Sequence, residues 1–164
     1  MVKIVVKDCG VMSFEMDYSA AKNTATNFVE LARKGYYDGL TFHRIIEGFM
    51  IQGGDNKKGG PGYSIKGEFA SNGIKNPLRH DRGVISMART MYKDSASAQF
   101  FIMHKKAPHL DGEYAAFGKM IEGEEVLDKI ASVKTDYFDA PLEDVIIEKV
   151  EVIDEPVSES VKIR

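Results

Sequence analysis

Apolar residues in this chain recur mostly at every second position, and helical spacing takes over in only two stretches. That rhythm restricts the fold more than any other feature, because side chains alternate between faces along a strand but return to one face every three to four residues along a helix. Val2, Ile4 and Val6 alternate with Lys3 and Lys7, Asp8-Cys9-Gly10 supplies turn chemistry, and Met12, Phe14 and Met16 alternate with Ser13, Glu15 and Asp17, which predicts a β-hairpin. Further strands are expected over Val84–Ala88, Ala98–Met103, 115–121 and Val145–Ile153. One helix begins at Ala21, with Ala25, Phe28, Val29 and Ala32 on its apolar stripe, Ser19 as N-cap and Gly35 as the C′ residue. Its polar face, Lys22, Asn23, Thr26 and Glu30, reads as solvated. The other helix spans Glu124–Val133, with Val126, Leu127, Ile130 and Ala131 on one stripe. Seven or eight strands with two helices, and no strand-helix alternation, fit an antiparallel barrel capped by helices. The reading gives one domain over 1–154 and, in 155–164, a surface or disordered tail rich in charge and serine.

The stretch Phe42–Asp55, F-H-R-I-I-E-G-F-M-I-Q-G-G-D, departs from simple alternation. Gly48 allows a bend between a first run ending at Ile46 and a second run from Phe49 to Gln52, so a hairpin is expected. Phe49, Met50 and Ile51 taken singly suit a core. Arg44 does not, since burying an unpaired guanidinium is prohibitive and the group stays ionised, so either an acid pairs with it or it faces a cleft.

Several chemistries are excluded by pattern. Gly54 to Gly59 has the spacing of a phosphate-cradling loop, but Gly60-Pro61 stands where Lys and Ser or Thr are needed. His43, His80, His104 and His109 lack the i,i+4 spacing of a zinc helix, so no metal site is expected. Ser86 lies in G-V-I-S-M, which is not a nucleophile elbow. A formal net charge of −3 gives no footprint for nucleic acid, and no apolar run approaches the length of a membrane span. Cys9 is the single cysteine and the N-terminal residues show no secretory pattern, which together predict a cytoplasmic protein.

Three blocks carry a resemblance: F-H-R-I-I-E-G-F-M-I-Q-G-G-D at 42–55, G-V-I-S-M-A at 83–88, and A-Q-F-F-I with L-D-G-E-Y-A-A-F-G at 98–102 and 110–118. Together with Asn23–Phe28 in the first helix, they make the chain resemble the cyclophilins, peptidyl-prolyl cis-trans isomerases, along nearly its whole length apart from the tail. The resemblance implies a closed eight-stranded antiparallel β-barrel capped by two α-helices. It implies Arg44 as the catalytic arginine, Phe49, Met50, Phe101 and Leu110 as the proline pocket, and Gln52 and Gln99 as its polar wall, with Gln52 guiding the rotating carbonyl. Ala88 and Arg89 match positions whose backbone lies along the bound peptide, and His109 and Tyr114 stand where many eukaryotic members have tryptophan and histidine. No cofactor is implied. The implied partners are proline-containing peptides and client proteins, folded or unfolded, met by a monomer. Glu47 replaces a common proline, and His109 in place of tryptophan predicts weak cyclosporin binding; the compact chain looks like a bacterial-type member. The rival readings are a module that binds proline segments, or acts as a chaperone, without catalysis, and a barrel holding a small apolar ligand.

Overall fold

The computed structural model describes residues 1–164 and contains eight strands in one antiparallel sheet. They are β1 (Val2–Val6), β2 (Gly10–Met16), β3 (Arg44–Ile46), β4 (Met50–Gly53), β5 (Val84–Met87), β6 (Phe100–Met103), β7 (Ala116–Glu122) and β8 (Ile147–Val152), in the order β3-β4-β6-β5-β7-β2-β1-β8. Two α-helices, α1 (Lys22–Arg33) and α2 (Glu124–Ala131), pack on it. Every strand expected from the alternation is present, with ends that differ from the expected ones by at most two residues. No helix is long and apolar enough to cross a membrane.

The closed barrel expected from the resemblance is corrected to an open sheet whose edges are β3 and β8. The chain leaves strand geometry between Thr41 and Arg44, so β3 itself never meets β8. The seam is spanned by the preceding residues instead, through an isolated Thr41–Ile146 bridge and the bonds Phe42 N–H to Val145 O (2.9 Å) and Ile147 N–H to Leu40 O (2.7 Å).

Phe28 of α1 seals the concave face of the sheet. Its ring lies 5.0 to 5.3 Å from those of Tyr37, Phe100 and Phe117, and Phe42 meets Phe100 edge-on at 5.8 Å. The helix ends in a Schellman motif, with Tyr36 N–H to Leu31 O, Gly35 N–H to Ala32 O, and Gly35 at φ +73° where a side chain would be strained. Its start differs from expectation. Ala21 is the N-cap and makes no side-chain bond, while Ser19 Oγ donates to Asp17. The carboxylate of Glu68 takes over, accepting from Asn23 N–H (3.3 Å), Thr24 N–H (2.6 Å) and Thr24 Oγ1 (2.6 Å), a negative charge at the positive end of the helix.

The polar face of α1 is likewise not left to solvent, because the C-terminal segment lies along it. Ser160 Oγ donates to Glu30 (2.9 Å), Lys162 Nζ pairs with Glu30 (2.9 Å), and Val161 N–H donates to Asn23 Oδ1 (2.7 Å). Ile163 bridges Ser64, and Glu155 binds both Tyr18 and the N-terminal amine. Residues 155–164, read from the sequence as a surface or disordered tail, therefore form an anchored strap.

Candidate active site

Strand β6 has its four residues buried on both faces, and this places the site. Phe100 and Ile102 enter the main core, while Phe101 and Met103 point the other way and join Met50, Val84, Ala107, Leu110 and Ala116 in a second, smaller apolar cluster. The outer side of that cluster is the floor of a cleft of about 190 Å³. Arg44, Phe49, Met50, Gln52, Ala88, Arg89, Phe101, Leu110 and Tyr114 line it, so nine of the eleven site residues singled out in the sequence meet in one concavity.

The β3–β4 hairpin sets the polar rim. Arg44 and Gln52 are direct cross-strand partners, which puts both side chains on one face, and Arg44 Nη1 donates to Gln52 Oε1 at 3.5 Å. Gln52 Nε2 in turn donates to Gln99 Oε1 at 3.0 Å. The bond to Gln52 is the one side-chain hydrogen bond Arg44 makes, so of the two alternatives open to its charge, an acidic partner or a cleft, the structure shows the cleft. Gln99 lies next door, in an adjoining polar depression shared with Gln52, Ala88 and Arg89. His109, the remaining candidate, is exposed and stacks on Phe49 with ring centres 5.9 Å apart.

The opposite wall depends on Arg89. Its guanidinium sits between the rings of Phe69 (4.9 Å) and Tyr114 (4.8 Å) and donates through Nε and Nη2 to Glu113 O and through Nη1 to Thr90 O. The side chain is thus a clamp that holds Tyr114 upright, where the sequence analysis expects only its backbone to contribute. Ala88 N–H is spent on Gln99 O (3.0 Å), whereas the Ala88 carbonyl and Arg89 N–H make no bond within the chain and are available to an extended ligand.

Two histidines that the sequence reading weighed only as metal ligands prove to support the site. His80 is 1% exposed and stacks flat under Phe101 (15°, 5.9 Å), with Nδ1 at 3.0 Å from Asp111 Oδ1 and Nε2 at 2.8 Å from Ser86 Oγ. Burial lowers its pKa, which the Asp111 carboxylate only partly opposes. These contacts have the order of a Ser–His–carboxylate relay, but Ser86 is fully buried in β5, where no substrate reaches it. His104 holds the tip of the β3–β4 hairpin. Nothing in the spacing of either histidine signalled these roles.

Comparison with known proteins agrees with the geometry. The profile of the family described as "Cyclophilin type peptidyl-prolyl cis-trans isomerase/CLD" matches residues 1–152. The chain is 45% identical over 122 residues to peptidyl-prolyl cis-trans isomerase B of Bacillus subtilis, covering 73% of this chain and 82% of that one. It is 40% identical over 157 residues to peptidyl-prolyl cis-trans isomerase-like 2 of Rhizopus delemar, which covers 94% of this chain but 29% of that longer protein. Among solved structures, a cyclophilin type peptidyl-prolyl cis-trans isomerase of Cryptosporidium parvum, crystallised in the presence of the dipeptide Ala-Pro, superposes with a TM-score of 0.83 at 34% identity, covering 94% of this chain and 99% of that one. An arginine-rimmed apolar cleft on the outer face of this sheet, together with a profile match across nearly the whole chain, shows that the protein belongs to the cyclophilin-type peptidyl-prolyl cis-trans isomerase family.

Proposed function

We propose that the chain catalyses rotation about X-Pro peptide bonds in peptides and client proteins, with Arg44 stabilising the twisted prolyl nitrogen. The observation that carries this reading is a guanidinium without an acidic partner at the rim of an apolar cup built from Phe49, Met50, Phe101 and Leu110. Rotation breaks amide resonance but makes and breaks no covalent bond, so it needs no nucleophile. As the bond twists, the prolyl nitrogen becomes pyramidal and its lone pair becomes a hydrogen-bond acceptor that the planar amide lacks. A donor that finds its acceptor only in the transition state lowers the barrier, whereas one that binds both states equally only tightens binding.

The uncatalysed exchange takes tens to hundreds of seconds, and a turnover of about 10 to 1,000 per second requires roughly 4 to 7 kcal/mol off the barrier. A charged donor contributes about 1.5 to 3 kcal/mol of this. The rest is assigned to orientation: the cup holds the ring, Gln52 and Gln99 guide the rotating carbonyl, and the free Ala88 carbonyl and Arg89 amide hold the flanking backbone. The Ala-Pro dipeptide named with the Cryptosporidium parvum relative supports a proline-containing ligand. His109 offers a smaller ring than tryptophan and no indole donor, so weak cyclosporin binding is expected. The same reading has the protein act as a cytoplasmic monomer. A small ligand inside the sheet is disfavoured by the aromatic packing of Phe28, Phe100 and Phe117.

A protease-coupled assay on a short X-Pro peptide tests the proposal. Acceleration proportional to protein concentration is the expected result. Folded protein that binds the peptide without accelerating its exchange would overturn it in favour of a non-catalytic binding module.

A further inference from the structure

We infer that His104 is a positioning residue for the hairpin that presents Arg44 and Phe49, an inference that rests on the isomerase reading above. The tip of that hairpin is the turn Ile46–Phe49, closed by Phe49 N–H to Ile46 O at 3.0 Å, with Gly48 at φ +81° and Glu47 at negative φ. Positive φ at the third residue alone defines a type II turn, in which proline is favoured at the second residue because its ring presets φ. This chain has Glu47 there, exposed, so no ring presets φ at the second residue. Strand β3 is three residues long and an edge of the sheet, which leaves the tip as a lever on both side chains.

His104 restrains the lever from outside. Its backbone N–H donates to Phe49 O at 2.9 Å, and its Nδ1 accepts from Gly48 N–H at 2.8 Å. An amide can only donate, so Nδ1 carries no proton and the ring proton lies on Nε2, 2.9 Å from Asp128 Oδ1 of α2. Asp128 is fixed by a two-pronged bond from Arg82, Nη1 at 2.9 Å and Nη2 at 3.0 Å, and Arg82 Nη1 also donates to the carbonyl of His104 at 3.1 Å. The turn, a buried imidazole, a carboxylate on α2 and a guanidinium ahead of β5 thus form a continuous hydrogen-bonded chain, anchoring a turn that lacks proline to a helix.

The test separates the two ends of the imidazole. His104→Asn places an amide oxygen near the position of Nδ1 and keeps the Gly48 bond, whereas His104→Gln reaches Asp128 and loses Gly48. Turnover of a short X-Pro peptide and its dissociation constant are measured by exchange NMR and titration, and hydrogen exchange of the Gly48 amide is followed in the same samples. The expected result is a kcat within twofold of native for His104→Asn and a five- to tenfold loss for His104→Gln with faster Gly48 exchange, while peptide affinity changes less than twofold. Adding Glu47→Pro to His104→Gln restores most of the lost kcat. Unchanged kcat in His104→Gln despite faster Gly48 exchange overturns the inference, as does an equal loss in both variants that Glu47→Pro leaves unrepaired. If the native chain gives no acceleration the isomerase reading fails, while equal Gly48 exchange in all variants refutes the anchor itself.

Discussion

The two faces of β6 carry the same kind of side chain and do different work. Phe100 on the inner face touches Phe28, Tyr37 and Phe42 and is sealed from solvent, while Phe101 on the outer face is backed by His80 and Tyr114 and keeps 5% exposure at the floor of the cleft. The inner face is closed off from solvent, whereas the outer face is filled from below and left open above. A binding cup of this kind is an incompletely covered core, given polarity by Arg44, Gln52 and Gln99 along one rim.

The largest expected effect breaks the inner face. Phe100→Ala removes a ring from a site that cannot collapse, and a loss of about 3–5 kcal/mol is expected in chemical denaturation. Phe101→Ala sharpens the contrast. Its vacancy opens into an existing cleft, so the loss is closer to the transfer term alone, about 1.5–3 kcal/mol, while kcat/KM for a short X-Pro peptide falls more than tenfold. Equal stability losses for the two variants would contradict the distinction between the faces.

Arg89→Lys is the next smaller test. Lysine keeps the charge but lacks the planar fork that bonds Glu113 O and Thr90 O and the flat surface that lies between Phe69 and Tyr114. Stability is expected to fall by about 1–2 kcal/mol, and peptide affinity should weaken two- to fivefold as Tyr114 loses its support. A variant with native affinity would return Arg89 to a backbone-only role.

The smallest effect concerns the strap along α1. Burial raises the pKa of Glu30, but bonds from Lys162 and Ser160 outweigh it and hold the carboxyl at about 2, against an ordinary 4.5. A depressed carboxylate stabilises the fold above its unfolded pKa, so anchorage of 155–164 is expected to be complete above about pH 5 and to weaken as pH falls from 4.5 toward 2. Amide exchange at Ser160 and Val161 should quicken across that window while amides of β6 do not. Glu30→Gln should flatten the dependence.

Local rhythm made much of the fold legible. The hairpin around Gly48, the two helices and the strands carrying Ile85 and Phe101 all follow from spacing within ten or so residues. The misses come from partners distant in sequence. Glu68 caps a helix 44 residues away, and Ser160 reaches Glu30 across 130, so neither Ser19's idleness nor the fate of the polar face of α1 could be read locally. The doubly buried β6 shows why A-Q-F-F-I has no alternation: both faces are covered, and the run itself does not say which phenylalanine is core and which is pocket. Arg44 was the most informative single residue, because a lone guanidinium among isoleucines admits few environments. Its assigned role came from the resemblance, and the geometry supports it by placing Gln52 opposite and Phe101 behind.

Exchange NMR on a short X-Pro peptide, comparing the native chain with Arg44→Ala and Arg44→Lys, isolates the role of the guanidinium because one sample reports both binding and interconversion. Both variants are expected to bind the peptide within about threefold of native while the exchange rate at saturation falls at least tenfold, a loss of about 1.4 kcal/mol or more in transition-state stabilisation. Native exchange in Arg44→Ala would contradict this and move the source of catalysis from the guanidinium to the apolar cup.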